Sequence, residues 1–280
     1  MTVASGGPSG DPVRWRNPVR ARLDRGEPVF GVTITTPSLD LAVRAATSGF
    51  DFLWVEMEHS PVTLETLRNV VLATRGLPAV PFARVPVNEV WAAKRALDAG
   101  VHGVIFPFTT SAPLAAQAAA ACRYPPAGRR GSGAGLATHS WPEADRYYDS
   151  ADENIVVVAI IEEAAALPCI EEIAATPGID VLFIGTSDLS FSLGHRGRQD
   201  HRDVQAAIDT VLQATLRHGK IPGRPAGTPR EAEAAMAQGF RMFQLASDLN
   251  LFEQGAQRLL EPLGRGPGAQ GSGTRGGALY

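Results

Sequence analysis

The sequence predicts an α/β fold of one domain, a closed (β/α)8 TIM barrel. Eight short apolar runs rich in β-branched and aromatic residues recur along the chain, and each is followed by a segment of helical periodicity. Strand-then-helix alternation implies a parallel sheet, and the count of eight favours closure over an open doubly wound sheet, the alternative arrangement. A chain of 280 residues with 44% hydrophobic content can bury one large core.

The strands are expected at Pro28–Thr35, Phe52–Glu56, Val80–Arg84, Gly103–Pro107, Ile155–Glu162, Val181–Gly185, Lys220–Arg224 and Met242–Ala246. Between them the periodicity predicts helices over Leu39–Ser48, Leu64–Arg75, Glu89–Ala99, Ala112–Cys122, Ala164–Ala175, Val204–His218, Arg230–Gln238 and Leu249–Leu260. Thr63, Asn88, Ser111 and Thr228 can cap helix N-termini with a side-chain oxygen, and Gly49, Gly76, Gly100, Gly178, Gly219 and Gly239 can end helices in the left-handed region. The connection Arg123–Asn154 is long, with a glycine-rich stretch at 131–135. A loop of this length is functional or flexible. Its glycines do not stand between a strand and a helix, as a dinucleotide cradle requires.

Residues 14–263 form the expected domain. The Gly/Ser/Pro-rich start (1–13) and the Gly-rich end (264–280) are expected to be disordered. Lys+Arg 26 against Asp+Glu 29 leaves no electrostatic footprint for nucleic acid or an anionic membrane. Cys122 and Cys169 lie outside any CxxC spacing, which fits a reducing cytoplasm, and no apolar window suggests a signal peptide or a membrane span.

In a barrel, polar residues at strand C-termini face the substrate cleft. The second strand here runs into Glu56, Glu58 and His59, the third ends in Arg84, the fifth in Glu162 and Glu163, and the sixth in Gly185, Thr186, Ser187 and Asp188. Singly, Glu162 or Asp188 reads as a solvated or capping acid. Together, on adjacent strands, they offer two hard oxygen ligands suited to Mg2+ or Mn2+. Arg84 ends an apolar stretch, where a structural salt bridge competes with a role against a carboxylate or developing oxyanion. His59 gains meaning if Asp98 orients its ring as a proton-transfer dyad. His102, His139, His195, His201 and His218 show no ligand spacing and read as surface or structural.

Four stretches carry a resemblance: Ala46 to Pro61, Arg123 to Gly131, Gly178 to Gly185 and Ser187 to Gly194. In order and spacing, over about residues 17 to 260, the chain resembles the HpcH/HpaI aldolase/citrate lyase family, particularly its 4-hydroxy-2-oxoheptanedioate aldolase branch. The resemblance implies a homohexamer of phosphoenolpyruvate/pyruvate-type barrels that exchange C-terminal helices, and the cysteine usage a cytoplasmic setting. It also implies a class II aldolase using Mg2+, Mn2+ or Co2+ on a 2-oxo acid and an aldehyde. By the same resemblance Glu162 and Asp188 hold the metal, and Arg84 holds the keto oxygen of pyruvate. His59 is the base with Asp98 as its partner, and amides around Gly185, Thr186 and Ser187 receive the pyruvate carboxylate.

The chain departs from that pattern at Glu56-Met57, Ile160, Thr186-Ser187 and Arg224-Pro225, and at Thr33, Thr35 and Thr36 on the first strand. These departures imply a changed electrophile pocket. An acyl-CoA lyase or decarboxylating relative, and a silent keto-acid-binding barrel, are the alternatives. The Arg129-Arg130 pair is slight for a CoA surface, and retention of Glu162, Asp188, Arg84 and His59 together speaks against silence.

Overall fold

The computed structural model describes residues 15–142 and 144–265, so the expected arm at 1–13 and most of the expected tail lie outside the described residues. Eight parallel strands close in sequence order into a barrel: β1 (Val29–Ile34), β2 (Phe52–Glu56), β3 (Val80–Arg84), β4 (Gly103–Phe106), β5 (Val156–Ile161), β6 (Val181–Ile184), β7 (Ile221–Pro225) and β8 (Met242–Ser247). The helices in chain order are α1 (Pro18–Asp24), α2 (Leu39–Ala46), α3 (Leu64–Ala73), α4 (Val90–Ala99), α5 (Ala112–Ala121), α6 (Gly135–Thr138), α7 (Tyr147–Asn154), α8 (Ile170–Ala175), α9 (Thr186–Ser192), α10 (Arg202–Arg217), α11 (Pro229–Gln238) and α12 (Asp248–Leu260).

All eight expected strands form, with ends shifted by at most a residue or two. Thr63, Ser111 and Thr228 cap their helices through side-chain oxygens, as expected. Asn88 does not: its amide donates to Thr109 and the Leu114 carbonyl, and Glu89 takes the N-cap position of α4. The helix expected at Ala164–Ala175 is a 3-10 stretch over Ala164–Cys169 followed by α8, with Pro168 at the break. Proline removes a backbone donor and crowds the preceding turn, so a continuous α-helix is disfavoured there. The long connection after α5 is also more ordered than expected, since it contains α6 and α7.

The barrel interior follows from period-two alternation. Phe52 and Trp54, Val80 and Phe82, Val156, Val158 and Ile160, and Val181 and Phe183 form one inner cluster. A Cβ on Gly31, Gly103 or Gly223 would lie 2.3, 2.5 or 2.6 Å from the rings of Phe52, Phe82 and Phe183 respectively. Only glycine leaves room for those three rings. The opposite faces of the strands pack against the helices in a second, larger apolar layer.

A helix absent from the sequence reading, α1, closes the lower end, burying Val19 and Leu23 against the inner cluster. Asn17 caps it and is fully enclosed, accepting from Val19 N and donating to the carbonyls of His102 and Asn154. No helix among the described residues is long and apolar enough to cross a membrane.

Candidate active site

The same alternation that places aromatics in the middle of the barrel places ionisable groups at its upper rim. Glu56 follows Trp54 by two residues, Arg84 follows Phe82, and Glu162 follows Ile160. Glu56 and Arg84 are direct register partners on β2 and β3. They border a cleft of about 620 Å³, open to solvent. It is floored by Trp54, Ile160 and Phe183 and also walled by Thr33, Thr35, His59, Glu162, Gly185, Thr186, Ser187, Asp188, Pro225 and Gln244.

Arg84 is the hub. Its Nη2 lies 2.5 Å from Glu58 Oε2 and 3.4 Å from Glu162 Oε2, and its Nη1 lies 3.5 Å from Glu56 Oε2. Neither Arg84 Nε nor Glu58 Oε2 has an aligned hydrogen-bond partner, although both are buried. Glu56 is better served: Trp54 Nε1 donates to it at 3.0 Å, and the backbone N–H groups of Glu58 and His59 donate at 2.8 and 3.0 Å. Glu56 thereby shapes the turn that presents Glu58 and His59.

Glu162 accepts a 2.8 Å hydrogen bond from the backbone N–H of Phe108. Phe108 takes a left-handed φ of 49° after β4, a costly conformation for a bulky residue. Beside Glu162, Gly185 leaves no space for a side chain, since a Cβ there would sit 2.7 Å from Glu162 Cβ. Burial pushes the Glu162 carboxyl up to about 7, against the opposing pull of Arg84 and the Phe108 amide, with Glu58 and Asp188 repelling it further. Glu58 is likewise raised to about 7, first by burial, with Arg84 opposing and Glu56 and Asp188 adding repulsion. Three carboxylates thus border one guanidinium, and the charge of Asp188 also acts on two of them.

The sequence-predicted residues divide accordingly. Arg84, Glu162, Asp188, His59, Gly185, Thr186 and Ser187 all reach the cleft. Asp98 does not. It lies one residue from the C-terminal end of α4, at the lower end of the barrel, where Arg130 Nη2 meets it at 3.4 Å. His59 follows a strand and lies at the upper end, so the expected dyad is not formed within the chain. The carboxylate next to His59 is Glu58, 3.6 Å from its Nε2.

A second correction concerns the amides: the N–H of Gly185 donates to the Ile161 carbonyl at 3.0 Å. That leaves those of Thr186 and Ser187, in the first turn of α9, to face an anion. Glu58 and Glu56 are the site residues that the sequence reading did not assign. The signal was present, as both stand in the run that ends β2.

The departures from the family pattern also sort by position. Thr33, Thr35, Ile160, Thr186, Ser187 and Pro225 line the cleft. Thr36 and Thr35 donate to Asp248, while Gln244 donates to Thr33 at 2.7 Å. Arg224 instead lies over the Phe240 ring, 5.5 Å from its centroid.

The family profile of the HpcH/HpaI aldolase/citrate lyase group matches residues 32–254. A hydroxypyruvate/pyruvate aldolase of Paraburkholderia phytofirmans is 36% identical over 241 residues, covering 84% of this chain and 93% of the relative. A 5-keto-4-deoxy-D-glucarate aldolase of Klebsiella pneumoniae is 35% identical over 228 residues, covering 81% of this chain and 87% of the relative. Among solved structures, an HpcH/HpaI aldolase/citrate lyase family protein from Burkholderia cenocepacia superposes with a TM-score of 0.82 at 32% identity, covering 89% of this chain and all of that one. With this barrel and this rim of charged residues, the chain belongs to the HpcH/HpaI aldolase/citrate lyase family and is a carbon–carbon lyase.

Proposed function

We propose that the chain is a divalent-metal-dependent class II aldolase that cleaves or forms a 4-hydroxy-2-oxo acid, with a pyruvate-type donor and an aldehyde acceptor. The observation that carries this reading is the meeting of Arg84 with an excess of carboxylates in one cleft. The donor set fits a dication: Glu58 and Glu162 are both raised to about 7, by burial first and then by neighbouring carboxylates, although Arg84 pulls the other way. Glu162 and Asp188 would hold the ion, with Mg2+, Mn2+ or Co2+ suited to oxygen ligands.

When bound, the ion supplies a Lewis acid that polarises the ketone oxygen of the 2-oxo acid. Arg84, bordering the same space, faces the charge that develops on that oxygen. The amides of Thr186 and Ser187 receive the carboxylate at the start of α9. His59, with Glu58 beside it, takes the proton from the 4-hydroxyl group. The C3–C4 bond then breaks, its electron pair passes to the donor fragment, and the aldehyde departs. Reprotonation at C3 completes the pyruvate methyl group. Trp54, Ile160 and Phe183 form the apolar floor beneath this chemistry and keep water from below.

The assembly implied by the resemblance has support in α12, where only Asp248 is buried while Leu249, Leu251, Phe252, Leu259 and Leu260 are exposed. We assign these side chains to a neighbouring copy, as helix exchange in a hexamer requires. Asp98 can meet a His59 only between copies. A cytoplasmic setting accords with the free thiols of Cys122 and Cys169.

Exchange of the pyruvate methyl protons in heavy water, followed by NMR, tests donor activation without knowledge of the aldehyde. Exchange is expected with Mg2+ or Mn2+ in the wild type and is expected to vanish in Glu162→Ala. Exchange that is absent with every metal, or indifferent to Glu162→Ala, overturns the reading.

A further inference from the structure

Behind the cleft, the connection from α9 and the first turn of α10 bring together His195 and His201, read from the sequence as surface or structural, with Asp203. His195 Nε2 lies 3.1 Å from Asp203 Oδ2, and His201 Nδ1 lies 3.6 Å from the same oxygen. Ligands bound at roughly 2.0–2.1 Å around a tetrahedral ion stand about 3.4 Å from one another. Those two separations therefore match atoms that share an ion. Among the described residues these are the His, Cys, Asp or Glu side chains whose ligand atoms gather as a trio within 4.8 Å.

We propose that His195, His201 and Asp203 form a second metal site, for a transition-metal dication such as Zn2+ or Ni2+, which braces the loop behind the cleft. Two imidazole nitrogens and one carboxylate suit Zn2+, Ni2+ or Cu2+, whereas the all-oxygen donors of the cleft suit Mg2+ or Mn2+. Selectivity thus separates the two sites. All three side chains are partly exposed, so water completes the coordination shell.

Binding rearranges local contacts. The two rings stack with centroids 3.6 Å apart and planes 20° from parallel. Imidazole lone pairs lie in the ring plane, so the rings must splay to point at one ion. His201 Nδ1 accepts a 3.2 Å bond from the Asp203 amide, which caps α10, and the ion replaces that long bond. Arg198 and Arg202 stand 3.4 Å from His195 Nδ1 and 3.3 Å from Asp203 Oδ1. Their positive charge weakens cation binding, so the site holds its ion less tightly than a closed structural zinc centre.

The braced loop reaches the cleft wall. Gln199, between the two histidines, accepts a 2.7 Å hydrogen bond from the hydroxyl of Thr186, and the Gly197 amide donates to Ser190 Oγ at 2.9 Å. Thr186 lines the cleft beside Asp188. An ion at the histidines therefore fixes the far end of a short chain of contacts that ends on the proposed carboxylate-binding turn.

Calorimetric titration of the full chain with Ni2+ tests the site, using Glu162→Gln/Asp188→Asn to remove the cleft donors. That double variant is expected to keep one equivalent of Ni2+ and to lose it, by at least tenfold in affinity, when His195→Asn is added. Asparagine at 195 retains a hydrogen-bond donor toward Asp203, so the fold is kept, and circular dichroism verifies this. In the double variant, Ni2+ but not Mg2+ should slow amide hydrogen exchange across residues 194–203 at least tenfold. A single wild-type equivalent that survives the cleft substitutions supports this site and removes the cleft ion instead. No Ni2+ uptake by the double variant, or uptake indifferent to His195→Asn, overturns the proposal.

Discussion

At the lower end of the barrel, Asn17 is buried and every polar atom of its side chain is engaged, with Asn154 in turn donating to the Ser150 carbonyl. At the upper end, the buried atoms Arg84 Nε and Glu58 Oε2 have no aligned hydrogen bond, although Glu58 Oε2 is ion-paired with Arg84 Nη2 at 2.5 Å. The burial is alike and the satisfaction is not. A closed network such as the first stabilises, because each buried donor and acceptor regains what it loses from water. An open one such as the second costs stability and leaves directed charge for something that arrives from outside, which is the usual signature of an active site. The two ends should therefore respond to substitution in opposite ways.

The largest effect is expected at Arg84. Arg84→Ala should lower kcat/KM for aldol cleavage by about 10²–10³-fold, the scale of losing one preorganised charge-stabilising group, and steady-state assays of the purified variant measure it. At the other end, Asn17→Ala should leave kcat within a factor of about two while lowering unfolding free energy by about 3 kcal/mol. It removes a helix cap and takes a donor from the buried carbonyls of Asn154 and His102, the latter keeping only the Val156 amide. Urea denaturation of the two variants side by side gives the contrast, and equal stability losses would erase it.

A smaller effect of reversed sign is expected for Glu162→Gln, which keeps an acceptor for the Phe108 amide but removes a buried charge. It should abolish turnover and raise the stability of the metal-free protein by about 1–2 kcal/mol. Thermal unfolding without added metal is the measurement, and a destabilised variant would show that Glu162 serves the fold first.

The smallest expected signal concerns protons. Glu58 and Glu162 titrate near 7 in the folded chain against 4.5 ordinarily. The unfolded chain ionises first, so what these groups contribute to stability is fully present below pH 4.5 and is lost as pH rises through 7. A cation requires the ionised form of Glu162, so Mg2+ binding at pH 7 should release about half a proton from it and weaken as pH falls. Calorimetry in buffers of different ionisation enthalpy counts that proton, and no release would separate the cation from these acids.

The sequence made the barrel legible because its two periodicities are unmistakable: β-branched runs of the right length, then amphipathic segments with glycine and threonine at their ends. It made most of the rim legible for the same reason, since Glu56, Arg84 and Glu162 each extend an alternation that begins with an apolar inner residue. The helix α1 was not legible, because seven residues carry little periodicity and Pro18 at its start reads equally as a turn. Nor was α9, which begins immediately after a strand and has no place among the expected helices.

Within one chain, His59 and Asp98 stand apart for a reason the topology already contained. A residue at the end of a helix and a residue just past a strand lie at opposite poles of a (β/α)8 barrel. The grouping of His195, His201 and Asp203 needed a turn whose path is set by tertiary contacts such as Gln199 with Thr186.

The three glycines that admit aromatic rings into the barrel have an evolutionary consequence. A layer of rings seated on bare backbone cannot be altered piecemeal: a methyl at Gly31, Gly103 or Gly223 collides at once, and shrinking a ring leaves a hole that no neighbouring Cβ can fill. Variation is therefore pushed upward, to residues such as Thr33, Ile160 and Pro225, whose exchange leaves the stratum beneath undisturbed. Lineages built on this scaffold can try new acceptors one rim residue at a time without renegotiating how the protein folds.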